Sequence, residues 1–189
     1  MITRNNSTQI PGNAASIAWL VILTVVSVGG SLVISCVTPF AALAVALAGT
    51  VRLHIALRAM IAIWLTNQFI GFVFLHFPRT SDTVLSGLAI GATTLLSTLV
   101  AASTLQAAAS LPTLARLALG LLLAFAGYEA SLFVCALFLG GVETFSPAII
   151  AQIGFVNLLW FVGLIALNEL VAALCKRGLG LIPRLAKMS

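Results

Sequence analysis

Almost the whole chain is a series of long apolar runs, with its polar and helix-breaking residues gathered between them. Six runs can be placed as helices, over about 15–35, 39–51, 55–77, 82–109, 113–139 and 147–175. The breaks carry recognisable signals. Pro39 lacks an amide hydrogen and pushes Thr38 away from helical geometry, so one helix ends before it and another begins with it. Pro78 stops the third helix. Ser81 and Asp82 are suited to cap the fourth, and Ser146-Pro147 opens the sixth with a cap followed by a first-turn proline. Gly140-Gly141 ends the fifth helix, and Lys176-Arg177-Gly178 ends the sixth with cations in its last turn.

Composition decides where these helices belong. The chain has 189 residues, 61% hydrophobic and only 7% charged, with mean hydropathy +1.20. Soluble domains carry roughly 25% charged residues, and a span needs roughly 20 apolar residues, so this reads as an all-α, polytopic membrane protein of six transmembrane helices. A single integral membrane domain over 1–189 leaves no room for a soluble one. Met1 to Asn13 is polar, with one cation, Arg4, and the run that follows is as long as a full span without a clear cleavage pattern, so no ordinary signal peptide is expected.

The net charge of +5 does not point to nucleic acid, because the cations lie beside the spans. With a cytoplasmic amino end and six crossings, Arg4, Arg52, Arg58, Arg116, Lys176, Arg177, Arg184 and Lys187 all fall inside, and only Arg79 falls outside. Such a bias supports six spans, with both termini cytoplasmic in a bacterial inner membrane. It places Cys36, Thr38, His76, Arg79, Asp82, Glu143 and Ser146 on the outer face. Asn67, Gln68, Gln152 and Asn157 then lie in the outer halves of their helices, and His54 and Cys175 face the cytoplasm.

Cys36 is expected at a helix end near the membrane edge, where a thiol can meet a soluble ligand; most membrane cysteines are instead small apolar fillers. Cys36, Cys135 and Cys175 fall in different segments, and no Cys-x-x-Cys pair suggests a metal knot or a disulfide framework. The alanine-rich second helix (Ala41, Ala42, Ala44, Ala46, Ala48) is suited to close packing inside the bundle. Asn67-Gln68 either clasps a neighbouring helix or lines a cavity open to the outside. Gln152 to Asn157 loosely echoes it. His76 is an accessible imidazole, either a metal ligand or an interfacial anchor. Arg79 and Asp82 could pair across their turn. Tyr128-Glu129 puts an ionisable group in mid-span, which must be protonated or paired and is a functional candidate by default. Glu169, near cytoplasmic cations, is more easily structural. The chain has no Walker loop, no His-Glu-x-x-His and no nucleophile elbow. Energy coupling for any transport would therefore either come from another protein or not be needed.

The stretch Cys36-x-x-Pro39-Phe40-Ala41-Ala42-Leu43-Ala44, with Trp64-x-x-Asn67-Gln68-x-x-Gly71-Phe72 and His76-Phe77-Pro78, resembles the cobalamin-specific BtuM branch of the S-components of energy-coupling-factor vitamin transporters. The likeness covers roughly residues 30 to 95. It implies a six-helix S-component bundle that binds a vitamin with its outer loops and helix ends and mediates its uptake. It also implies a solitary protein, although S-components generally dock on an energy-coupling module. Cobalamin would be the transported ligand, and no cofactor of the protein's own is implied. The family's cobalt-ligating cysteine transfers to Cys36, with His76 as rival axial ligand. A thiolate on cobalt could labilise cyanide on the opposite face, a conversion accompanying binding rather than a dedicated enzyme activity. The expected ligand-binding set is Cys36, Thr38, Phe40, Asn67, Gln68, Phe72, His76, Phe77, Tyr128, Glu143 and Gln152, with Phe145 as a further ring against the corrin. The alternatives are an S-component-like protein for another vitamin or a metal ion, and a membrane assembly subunit that binds no small molecule.

Overall fold

A computed structural model describes the backbone of residues 38–176 and the side chains of residues 38–170. Cys36, the expected helix over 15–35, the side chain of Cys175 and the cations at both chain ends lie outside the described residues. Within them the chain forms α1 (Phe40–Thr50), α2 (Leu53–Val73), α3 (Ser81–Ala107), α4 (Thr113–Leu139), a 3-10 turn (Val142–Phe145) and α5 (Pro147–Lys176). Helices α2 to α5 are each long and apolar enough to cross a membrane. Large apolar side chains such as Leu65, Phe69, Leu122, Phe138 and Phe155 are more than half exposed, as lipid-facing residues would be.

Helix α1 is different. Its 11 residues rise only about 16 Å, half the hydrocarbon thickness, so it does not span by itself as the expected second helix would. It is apolar on every side, and such a helix belongs in an interior. Ala41, Ala42, Leu43, Ala44, Val45 and Leu47 are at most 1% exposed. Helices α2 to α5 all pack on α1, while α2 also packs on α3, α3 on α4, and α4 on α5. The alanines let these neighbours approach closely, and Gly120 of α4 leaves room for Leu105 of α3 and Val45 of α1.

Glycines also set the α2–α3 contact. A Cβ on Gly91 would stand 2.6 Å from the Trp64 ring, and one on Gly87 would stand 2.6 Å from Gln68 Oε1. Trp64 Nε1–H donates to the Gly87 carbonyl at 2.9 Å, locking the register. Between α3 and α4, Ser97 Oγ donates to the Ala124 carbonyl at 3.0 Å.

Two helix boundaries differ from expectation for local reasons. Helix α2 stops at Val73 rather than Phe77, because its last carbonyls are captured early. Leu75 N–H bonds Ile70 O and Phe77 N–H bonds Gly71 O, both at 3.0 Å, with His76 left-handed at φ 53 between them. The cap of α3 is Thr80 rather than Ser81 or Asp82: its hydroxyl accepts Thr83 N–H at 3.3 Å. Asp82 takes a long 3.4 Å bond from Ser81 and makes no ion pair with Arg79. Helix α4 does end at Gly140 and Gly141, whose φ values of 87 and 93 favour glycine. Ser146 Oγ receives Ile149 N–H at 3.4 Å at the start of α5.

Candidate functional site

The site is built around the break before α1. Pro39, at φ -80 and ψ 64, forms an inverse γ-turn closed by Phe40 N–H donating to Thr38 O at 2.8 Å. Two neighbouring helices hold this turn. Thr38 Oγ1 donates to Asn67 Oδ1 of α2 at 2.8 Å, and Asn157 Oδ1 of α5 accepts Ala42 N–H at 3.1 Å. Asn157 also donates from Nδ2 to Ile153 O at 3.0 Å, which fixes its amide orientation.

We call the end bearing the α2–α3 and α4–α5 connections the outer end, following the orientation expected from the cations. Asn67 lies six residues before the last residue of α2, roughly 9 Å below that end. Thr38 and the turn are therefore set into the bundle rather than at its rim.

Above the turn lies a cavity of about 240 Å³. Its walls are Thr38 and Phe40 from the break, Asn67 from α2, Ile90 from α3, and Tyr128, Glu129 and Leu132 from α4. Thr144 and Phe145 of the 3-10 turn, with Ile149 and Ile153 of α5, complete it on the outer side. Thr144 and Ile149 are exposed, so the cavity is approached from the outer end. The Phe40 and Tyr128 rings lie 6.0 Å apart, and Phe133 meets Phe145 edge-on at 5.4 Å.

Glu129 is 8% exposed, and its Oε1 has no hydrogen-bond partner. Thr94 Oγ1 is likewise buried and unpartnered. Ser97 on Ala124 and Leu105 beside Gly120 set the antiparallel register of the α3–α4 seam, which brings Thr94 within about one turn of the level of Glu129. On the inner side, Arg116 and Asn168 are also buried with unpartnered polar atoms.

Of the residues expected to bind ligand, Thr38, Phe40, Asn67 and Tyr128 meet in this cavity, and Phe145 joins them. The others are placed elsewhere. Gln68 packs on Gly87 in the α2–α3 contact. Phe72 is half-buried and does not line the cavity. Phe77 folds its ring over Gly71, where a Cβ would stand 2.7 Å from it. His76 is exposed in the α2–α3 turn, Glu143 is exposed in the 3-10 turn, and Gln152 is exposed on α5. Cys36 lies outside the described residues, two positions before Thr38. Ile90, Leu132, Thr144, Ile149 and Ile153 escaped the sequence reading. A usable signal existed for two of them: Ile149 and Ile153 recur with Asn157 every four residues and so share one face of α5.

Among the described residues no group of three or more His, Cys, Asp or Glu side chains could hold a metal ion. Comparison with protein-family models, with curated proteins and with solved structures finds no match.

Proposed function

We propose that this chain is a multi-pass uptake protein of a bacterial inner membrane that binds a small solute in the outer-half cavity and delivers it inward. The observation that carries the reading is the cavity itself, with a mid-span carboxyl group and a pinned helix break in its walls. Polar groups inside a bundle are expensive and tend to mark solute or ion pathways. Interrupted helices at the bilayer interior are a recurring way to build such sites. Arg52, Arg58 and Arg116 at the opposite end of the helices, against Arg79 at this one, support an outward orientation for the cavity. Passage inward would involve reorientation of the protein in the membrane, with energy supplied by a separate coupling module.

Size favours a small solute. About 240 Å³ lies just below the usual range of roughly 300–1,000 Å³ for small-molecule sites. Ile153→Trp would fill the cavity from the α5 side. Protein isolated in lipid nanodiscs is expected to carry a small molecule, detected by mass spectrometry, that the Ile153→Trp protein lacks. Equal small-molecule content in the two would overturn the reading.

A corrinoid is a second reading, favoured by one observation: Thr38, two residues after Cys36, lines the cavity beside the Phe40 and Tyr128 rings. Binding so large a ligand would require the outer connections to part. Added cobalamin should then show a cobalt absorption spectrum that changes in Cys36→Ala. Identical spectra and affinities in the two proteins would dismiss the thiolate ligand.

A further inference from the structure

Glu129 is the one charged side chain among the described residues that line the cavity. Among the described residues none supplies a counter-ion. No charged residue occurs anywhere between Arg4 and Arg52, so neither α1 nor the long apolar run before it can provide one. Arg116, the cation on the same helix, lies thirteen residues away, roughly 20 Å along the axis. Arg52 and Arg58 are at the inner end of α2, and Arg79 is in the outer turn beyond it.

Three of the four leading amide donors of α1 are already engaged and do not serve the carboxylate. Phe40 N–H goes to Thr38 O, Ala42 N–H to Asn157 Oδ1, and Leu43 N–H to Pro39 O. The walls that Glu129 shares carry three aromatic rings, Phe40, Phe145 and the adjacent Tyr128, among aliphatic and hydroxyl side chains. Ring faces attract cations, most strongly where water is excluded. An unpaired buried carboxylate is costly, and that cost is relieved when a positive charge arrives. A multivalent metal ion is poorly matched, since one carboxylate with hydroxyl and amide neighbours is a sparse ligand set.

We propose that the cavity takes an organic cation: a solute with one ammonium group on a compact apolar body. Glu129 is its counter-ion. Phe40, Tyr128 and Phe145 enclose the apolar part, and Thr38 and Asn67 offer polar contacts at the floor. The proposal rests on the reading of this cavity as a solute site and adds the chemical class of the solute.

Three probes of similar shape separate the possibilities: benzylammonium, benzyl alcohol and benzoate. Binding is measured by calorimetry on the full chain in phosphatidylcholine nanodiscs, with empty nanodiscs subtracted. Benzylammonium is expected to bind at least about tenfold more tightly than benzyl alcohol, and benzoate not at all. Glu129→Gln should remove that preference, because the amide keeps the shape and loses the charge. Ile153→Trp should abolish binding of both probes. Equal binding of the alcohol and the ammonium to the unaltered protein would overturn the cation proposal, as would a preference that survives in Glu129→Gln. If all three probes bind alike and Ile153→Trp removes them, the solute site stands and the cation class falls. If none binds and Ile153→Trp leaves the co-isolated small molecules unchanged, both readings fall.

Discussion

Asn157 of α5 caps α1 at Ala42, 115 residues away in sequence, with Oδ1 accepting the amide hydrogen at 3.1 Å. A helix usually satisfies its first amide groups with a side chain just before it. Pro39 offers no such side chain, and the cap is supplied by a neighbouring helix. Together with Asn67 on Thr38, this fixes the depth of the break from two sides.

Asn157→Ala should therefore leave Ala42 N–H buried without a partner. The expected loss is about 1–3 kcal/mol, read as a lower melting temperature of the purified protein. Asn157→Asp, which keeps an acceptor at the same place, should recover part of it. An unchanged melting temperature for the alanine variant would show that the cap contributes nothing.

The α2–α3 seam makes a second prediction. Gly91→Ala would put a methyl group 2.6 Å from the Trp64 ring, which is held by its bond to Gly87 O. Overpacking of this kind costs about 1–3 kcal/mol. Combining it with Trp64→Leu should cost less than the two changes summed, because the smaller side chain makes room. Strict additivity in thermal unfolding would argue that the two residues do not press on each other.

Glu129 tests differently, because its Oε1 has no partner to lose. In the absence of added solute, Glu129→Gln should melt at the same temperature or higher, since it removes the cost of a buried lone carboxyl. A substantial drop would mean that the carboxyl holds the fold together, contrary to its placement.

His76 adopts φ 53 in the turn after α2, a conformation that costs an L-residue about 1 kcal/mol and glycine almost nothing. His76→Gly should accordingly be neutral or stabilising by up to about 1 kcal/mol. Solute binding, and any cobalt spectrum, should be unaffected by it. A spectral change on loss of the imidazole would mark His76 as a metal ligand.

Several features were legible in the residues alone. A bilayer interior offers no water to the backbone, so long apolar stretches must close their hydrogen bonds within a helix. Proline, glycine and small hydroxylated residues then mark where helices can begin and end. That physics places α2 to α5 to within a few residues. An alanine-rich segment with no polar face likewise had to be buried, as α1 is. Glu129 could be singled out as an ionisable residue in an apolar run.

What sequence order could not decide was which neighbour each polar side chain meets. Successive helical residues point about 100° apart, so adjacent amides diverge. Asn67 reaches the break while Gln68 turns to α3; Asn157 reaches α1 while Gln152, five positions earlier, faces outward. The turn after α2 escaped because its backbone bonds, rather than Pro78, end the helix. The break itself is written in Thr38-Pro39, but its depth is not. Depth depends on how far α1 slides among four partners, and Asn67 and Asn157 settle it only once those helices are packed. Proline thus determined that the chain would turn, and the tertiary contacts decided that it turns inside the bundle, beneath a lone carboxyl group.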